Sequence, residues 1–244
     1  RLIDQDGNQI KLSEENTVFR RLIDRGMHYS ILGFYHPYCT IFKNANKCNS
    51  PYMEFSKWYK AIIDWVIGLR FIISSDPMST ITARQVEELN SYLNNTNDAI
   101  TFIHLNIPHL PNTYASNLYQ EHFNKEPLSD YLINLRLADE ILGRVIHQIR
   151  ATNGDQNILL IVSGDHGFRV IMNDPNEARS VPWIAWQVGS KDGHVISETI
   201  STVYTSDLIE DFLAEKISSQ AQIAQWWKDK PVLKRLMVVN HNDD

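Results

Sequence analysis

Long apolar runs are missing from this 244-residue chain. The most hydrophobic stretch, Trp58 to Ile73 (WYKAIIDWVIGLRFII), is interrupted by Lys60, Asp64 and Arg70. It falls short of the roughly 20 apolar residues of a spanning helix, so it reads as a buried amphipathic helix and no transmembrane segment is expected. An excess of positive charge is also missing. Twenty-three Lys and Arg against 29 Asp and Glu give a net charge of −6, which argues against nucleic acid as a partner. Ten glycines and nine prolines, beside 10 % aromatic residues, exclude disorder as the dominant state. The two cysteines, Cys39 and Cys48, form no CxxC pair, which excludes a closed cysteine zinc site. Their nine-residue separation leaves a local disulfide and two free thiols both open. No signal peptide, repeat or linker is visible, and the chain begins at Arg1. It reads as one domain, 1–244, belonging to a longer protein whose N-terminal part is the place for any membrane anchor.

What is present alternates between two periodicities. Asn16 or Thr17 can cap a short helix, VFRRLIDR, that stops at Gly26. A strand is predicted from Met27 to Gly33, and helices at about Phe55–Ile73 and Thr82–Leu93. Thr82 and Gln85 have capping-box spacing in the second. Ala99–Asn106 (AITFIHLN) reads as a buried strand. Leu128–Arg150 reads as an amphipathic helix with Leu132, Leu135, Ile141, Leu142, Val145, Ile146 and Ile149 on its apolar side. Ile158–Ser163 (ILLIVS) and Val181–Val188 are further strands, and Thr205–Lys216 a further helix. Continuous apolar strands between helices predict an α/β fold, a three-layer α/β/α sandwich around a mostly parallel sheet.

In such sheets ligands bind beyond the carboxyl ends of the strands. Ile158–Ser163 empties into Gly164-Asp165-His166-Gly167. A carboxylate next to an imidazole supplies the oxygen and nitrogen donors of a divalent-metal site, although an Asp in such a turn can also simply cap the backbone. The Ala99–Asn106 strand delivers His104 and then His109, which is stiffened by Pro108 and Pro111. His109 is a candidate to donate a proton or hydrogen bond to a leaving oxygen. His104, set among apolar neighbours, packs or hydrogen-bonds beneath that point. Gly33-Phe34-Tyr35-His36 leaves the first strand, and His36 is read equally as functional or structural. The histidines at 36 and 109 are expected to face one rim with Asp165 and His166.

With those residues in place, the chain resembles the sulfatase-like branch of the alkaline phosphatase superfamily. The resemblance rests on ILLIVSG-Asp165-His166-Gly167 and the upstream segment His104–Pro111 (HLNIPHLP). Arg136-Leu-Ala-Asp139, Arg179-Ser-Val-Pro182-Trp-Ile and Tyr204-Thr-Ser-Asp207-Leu-Ile follow in the family's order, so that it spans about 14–216 and leaves 217–244 as an extension. The resemblance implies an alkaline-phosphatase-like fold and a metal-dependent hydrolase or phospho-group transferase acting on sulfate or phosphate esters. It implies one divalent ion (Zn, Mn or Ca) on Asp165 and His166. His109 and His36 become catalytic, and His104 and Arg169 face the substrate, although Arg169 by itself reads first as a solvated surface cation. Envelope lipid head groups or polysaccharide are the implied substrates, and the periplasmic or outer side of a bacterial membrane the implied location, which favours a Cys39–Cys48 disulfide.

There are departures. Phe34 stands where sulfatases carry Lys, and no Cys-x-Pro-x-Arg motif occurs. The family's first strand and nucleophile segment are expected upstream of Arg1. The competing expectation is a catalytically silent sulfatase-like module that binds an anionic glycan or a protein. Trp226 and Trp227 carry no readable motif; they either pack back on the domain or mark a contact to another part of the protein.

Overall fold

The structure, a computed structural model, describes residues 2–3, 9–10, 17–50, 77–95, 97–108, 127–153, 157–167 and 181–231. The helix expected at Phe55–Ile73 lies outside them. The chain forms two compact units, Arg1–Gly154 and Asp155–Asp244.

The first unit opens with β1 (Leu2–Ile3) paired antiparallel to β2 (Gln9–Ile10). Helix α1 (Val18–Asp24) starts where the sequence predicts: the Thr17 hydroxyl accepts from the Arg20 N–H at 3.2 Å. It ends at Gly26, whose φ of +71° suits a residue without a Cβ. The strands β3 (Tyr29–Leu32), β4 (Lys47–Asn49) and β5 (Ile100–Ile103) form a parallel sheet in the order β4-β3-β5. All four residues of the central strand β3 are buried, as expected of a strand covered on both faces. The ring of Phe19 on α1 packs against Tyr29, Phe42 and Phe102. Between β3 and β4 lies the short helix α2 (Tyr38–Ile41), tied to β4 by a Cys39–Cys48 disulfide.

Helices α3 (Pro77–Leu93) and α4 (Pro127–Asn153) pack on each other, and α3 also packs on β3. The buried stripe of α3 is Thr82, Gln85, Leu89 and Tyr92, at alternating spacings of three and four. Thr82 is therefore not the N-cap that its spacing from Gln85 suggested. The helix begins five residues earlier, at Pro77, a residue suited to the first helical position because it has no N–H to leave unpaired. On α4 the stripe is Asn134, Leu137, Ile141, Val145 and Ile149. Leu132 and Leu135, expected in the core, flank that stripe and are 53 % and 45 % exposed.

In the second unit, β6 (Leu159–Ser163) pairs with β7 (Trp183–Gln187). This pair runs antiparallel, in contrast to the parallel sheet of the first unit. Helices α5 (Thr205–Leu213) and α6 (Gln220–Lys228) complete the unit. Its core joins Leu208, Ile217, Ile223 and Trp227 to Leu159, Ile161 and Trp183. Trp183 and Trp227 stack at 4.0 Å, so Trp227 packs back on its own unit. Gln220 acts as a substitute strand along one edge of β7: its Oε1 accepts from Gln187 N–H at 2.8 Å, and its Nε2 donates to the Ala185 carbonyl at 3.0 Å.

Candidate functional site: two strand-end groups

Register creates the first group. Leu32 pairs with Ile103, so β3 and β5 end level and their exit loops emerge side by side. The His104 N–H donates to the Leu32 carbonyl at 2.8 Å. Gln85, buried on α3, donates from Nε2 to the Gly33 carbonyl and, at 3.2 Å, to the His104 carbonyl. One side-chain amide thus ties the two loops together at their roots. Gly33 is required here, because a Cβ at this position would collide with the Tyr38 ring. The loop then turns through Tyr35, held at φ +64°. The His36 carbonyl accepts from the Tyr38 N–H at 2.8 Å and from the Ser50 hydroxyl at 2.5 Å.

The outcome is an aromatic cage around His104. His36 lies nearly parallel to it, ring centres 6.1 Å apart, while Phe34 and Tyr38 stand edge-on. The Tyr38 hydroxyl lies 2.9 Å from His104 Nδ1. Phe34 is buried and acts as a wall of this cage. Farther along the β5 exit, Asn106 is 6 % exposed, and its Nδ2 has no hydrogen-bond partner among the described residues. The Ile107–Pro108 peptide is cis, and the Pro108 carbonyl accepts from Asn134 Nδ2 on α4 at 3.5 Å. The structure therefore brings His36 and His104 together. His109 lies outside the described residues, and so does Arg169.

The second group is at the end of β6. Asp165 Oδ1 accepts from the His166 N–H at 2.9 Å, which folds the carboxylate back over the turn. His166 Nδ1 lies 2.8 Å from the Gly167 carbonyl oxygen. A carbonyl only accepts, so Nδ1 carries the proton and Nε2 is the basic nitrogen of the neutral ring. That nitrogen lies 3.8 Å from Asp165 Oδ2. A ring N–H held by a backbone carbonyl is the arrangement that orients a metal-binding imidazole. Two ligands at about 2.1 Å from one ion can be at most about 4.2 Å apart, so this doublet fits a divalent cation. Asp165 remains well exposed and His166 is partly covered, so both can be reached from solvent. Among the described residues no three His, Cys, Asp or Glu side chains gather at one point, so the doublet supplies two donors.

The sequence singles out Asp165, His166, His36 and His104 by their place after strands. It does not single out the Tyr38 hydroxyl or the Asn106 amide, and its capping-box reading gave Gln85 the wrong task. For Gln85 a signal existed: it falls at helical spacing among buried residues, where a polar side chain must find a partner.

The family model for Sulfatase matches residues 20–216. The chain therefore belongs to the sulfatase family, in the sulfatase-like part of the alkaline phosphatase superfamily. Neither the curated proteins nor the solved structures contain a match to it. Membership gives the α/β pattern its assignment as an alkaline-phosphatase-like fold, and supports at family level a hydrolase or transferase acting on an anionic ester. The family generally uses a divalent metal. Among the described residues, no helix is long and apolar enough to cross a membrane.

Proposed function

We propose that this protein is a divalent-metal-dependent hydrolase or phospho-group transferase acting on sulfate or phosphate esters of envelope lipids or polysaccharide. The observation that carries the reading is the Asp165–His166 doublet, a carboxylate beside an imidazole whose Nδ1 proton is held by the Gly167 carbonyl. These two side chains would supply two of the metal's ligands. Nitrogen from His166 favours Zn or Mn over Ca, which takes oxygen ligands. When bound, such an ion neutralises ester oxygens and lowers the pKa of a nucleophile. His36 and His104 bind the ester group as hydrogen-bond donors, Arg169 adds positive charge, and His109 protonates the leaving oxygen. An exported location, on the periplasmic or outer face of a membrane, draws support from the Cys39–Cys48 disulfide, a bond favoured in oxidising compartments.

The test is turnover of aryl sulfate and aryl phosphate esters, and of a phosphoglycerol lipid, by the intact protein and its Asp165→Asn variant. Loss of activity by at least the roughly 100-fold that second-sphere changes cost is the expected result. Equal turnover by both forms would refute the assignment. A well-folded wild type that binds a sulfated glycan and turns over no ester would instead identify a silent binding module.

A further inference from the structure

The cage around His104 contains a hydroxyl that the proposed reaction leaves without a task. Tyr38 Oη and His104 Nδ1 are 2.9 Å apart, and the proton between them can belong to either ring. A phenol is a far stronger acid than the N–H of a neutral imidazole, and the bare imidazole nitrogen is the better acceptor. The pairing is therefore favoured with Tyr38 as donor. We propose that Tyr38 is a positioning residue: its hydroxyl donates to His104 Nδ1, leaves the ring proton on Nε2, and so makes His104 a hydrogen-bond donor toward an anionic ester oxygen.

Contacts among the described residues hold both members of this pair. The His104 backbone is held on both sides, its N–H by Leu32 and its carbonyl by Gln85. Tyr38 is fixed by its own N–H to the His36 carbonyl and by the missing Cβ of Gly33, which admits its ring. His36 and Phe34 limit rotation of the imidazole. With the opposite tautomer, Nε2 would present a lone pair to an anion and repel it. With this one it presents an N–H, the group that stabilises an oxyanion.

The role in ester binding rests on the function proposed above; the hydrogen bond and the tautomer do not. The test is nitrogen NMR of the intact protein with 15N-labelled histidine, near pH 8, where a histidine of ordinary pKa is neutral. For His104 the expected spectrum has a protonated Nε2 and a bare Nδ1. In Tyr38→Phe the tautomers should mix, and kcat/KM should fall roughly three- to tenfold, the worth of one hydrogen bond. A purely structural Tyr38 would leave the tautomer unchanged in the variant, and that result overturns the proposal. So does a wild-type spectrum with the proton on Nδ1, which decides the matter even if the variant does not fold. An inactive protein with the expected tautomer would refute the ester reading while supporting the Tyr38 pairing. An active one with the proton on Nδ1 would do the reverse.

Discussion

At the scale of single residues, adjacency decided what could be read. Asp165 and His166 are neighbours in sequence, and their strand-end position was visible from the apolar run before them. Tyr38 and His104 are 66 positions apart, and only the flush ending of β3 and β5 brings them together. Phe34 looked like a lost charge and proves to be packing. Gly33 makes the cage possible, so Gly33→Ala should cost about 1–3 kcal/mol through overpacking against Tyr38, measurable by denaturant unfolding. Asp211 offers a pH signature. The hydrogen bond from Lys216, against some desolvation and with help from Trp226, holds its carboxyl below the ordinary 3.8. A folded-state pKa below the unfolded one stabilises above the unfolded value and is lost as pH falls through the folded one. The acid limb of the Tm-against-pH curve, below about pH 4, should therefore flatten in Asp211→Asn. A limb identical to wild type would show that the Lys216 and Trp226 contacts contribute nothing.

Elements were legible in kind more than in extent. Strands announced themselves by short β-branched runs: β3, β5 and β7 fall inside the predicted range with both ends trimmed, and β6 starts one residue later and ends at Ser163 as predicted. The start of α3 was misread because Thr82 and Gln85 imitate a capping box, whereas burial of both shows them inside the helix. Pairing direction was not legible for β6 and β7, since an apolar strand looks alike whichever way its neighbour runs. Two side chains do the work of missing backbone partners: Gln85 at the roots of the cage loops and Gln220 along β7. Gln85→Leu keeps the bulk and strips the donor from two carbonyls. It should destabilise by about 1–3 kcal/mol and loosen the His104 loop, seen as faster amide hydrogen exchange there. Trp227→Ala removes a buried stacking partner of Trp183 and should cost about 3–5 kcal/mol. Unchanged unfolding midpoints in both would show that these contacts do not hold their elements.

For the molecule as a whole, the α/β class followed from alternation of strand and helix, and the family from strand-end motifs in a fixed order, matched over 20–216. Composition contributed mainly exclusions: a net charge of −6 and interrupted apolar stretches. What a linear reading could not supply was the proton inventory, because tautomers are set by contacts between distant segments or by the fold of a turn. In the first unit that inventory turns on Tyr38, and in the second on the Gly167 carbonyl, which leaves His166 Nε2 basic beside Asp165. The proposed metal, and with it the proposed chemistry, is assigned to that doublet. Its most direct test is the metal content of the intact protein after dialysis against Zn or Mn, measured by elemental analysis for wild type, Asp165→Asn and His166→Gln. The account predicts close to one ion per wild-type chain and little in either variant at matched fold. Wild type that emerges metal-free, or variants that retain the ion in full, would contradict it.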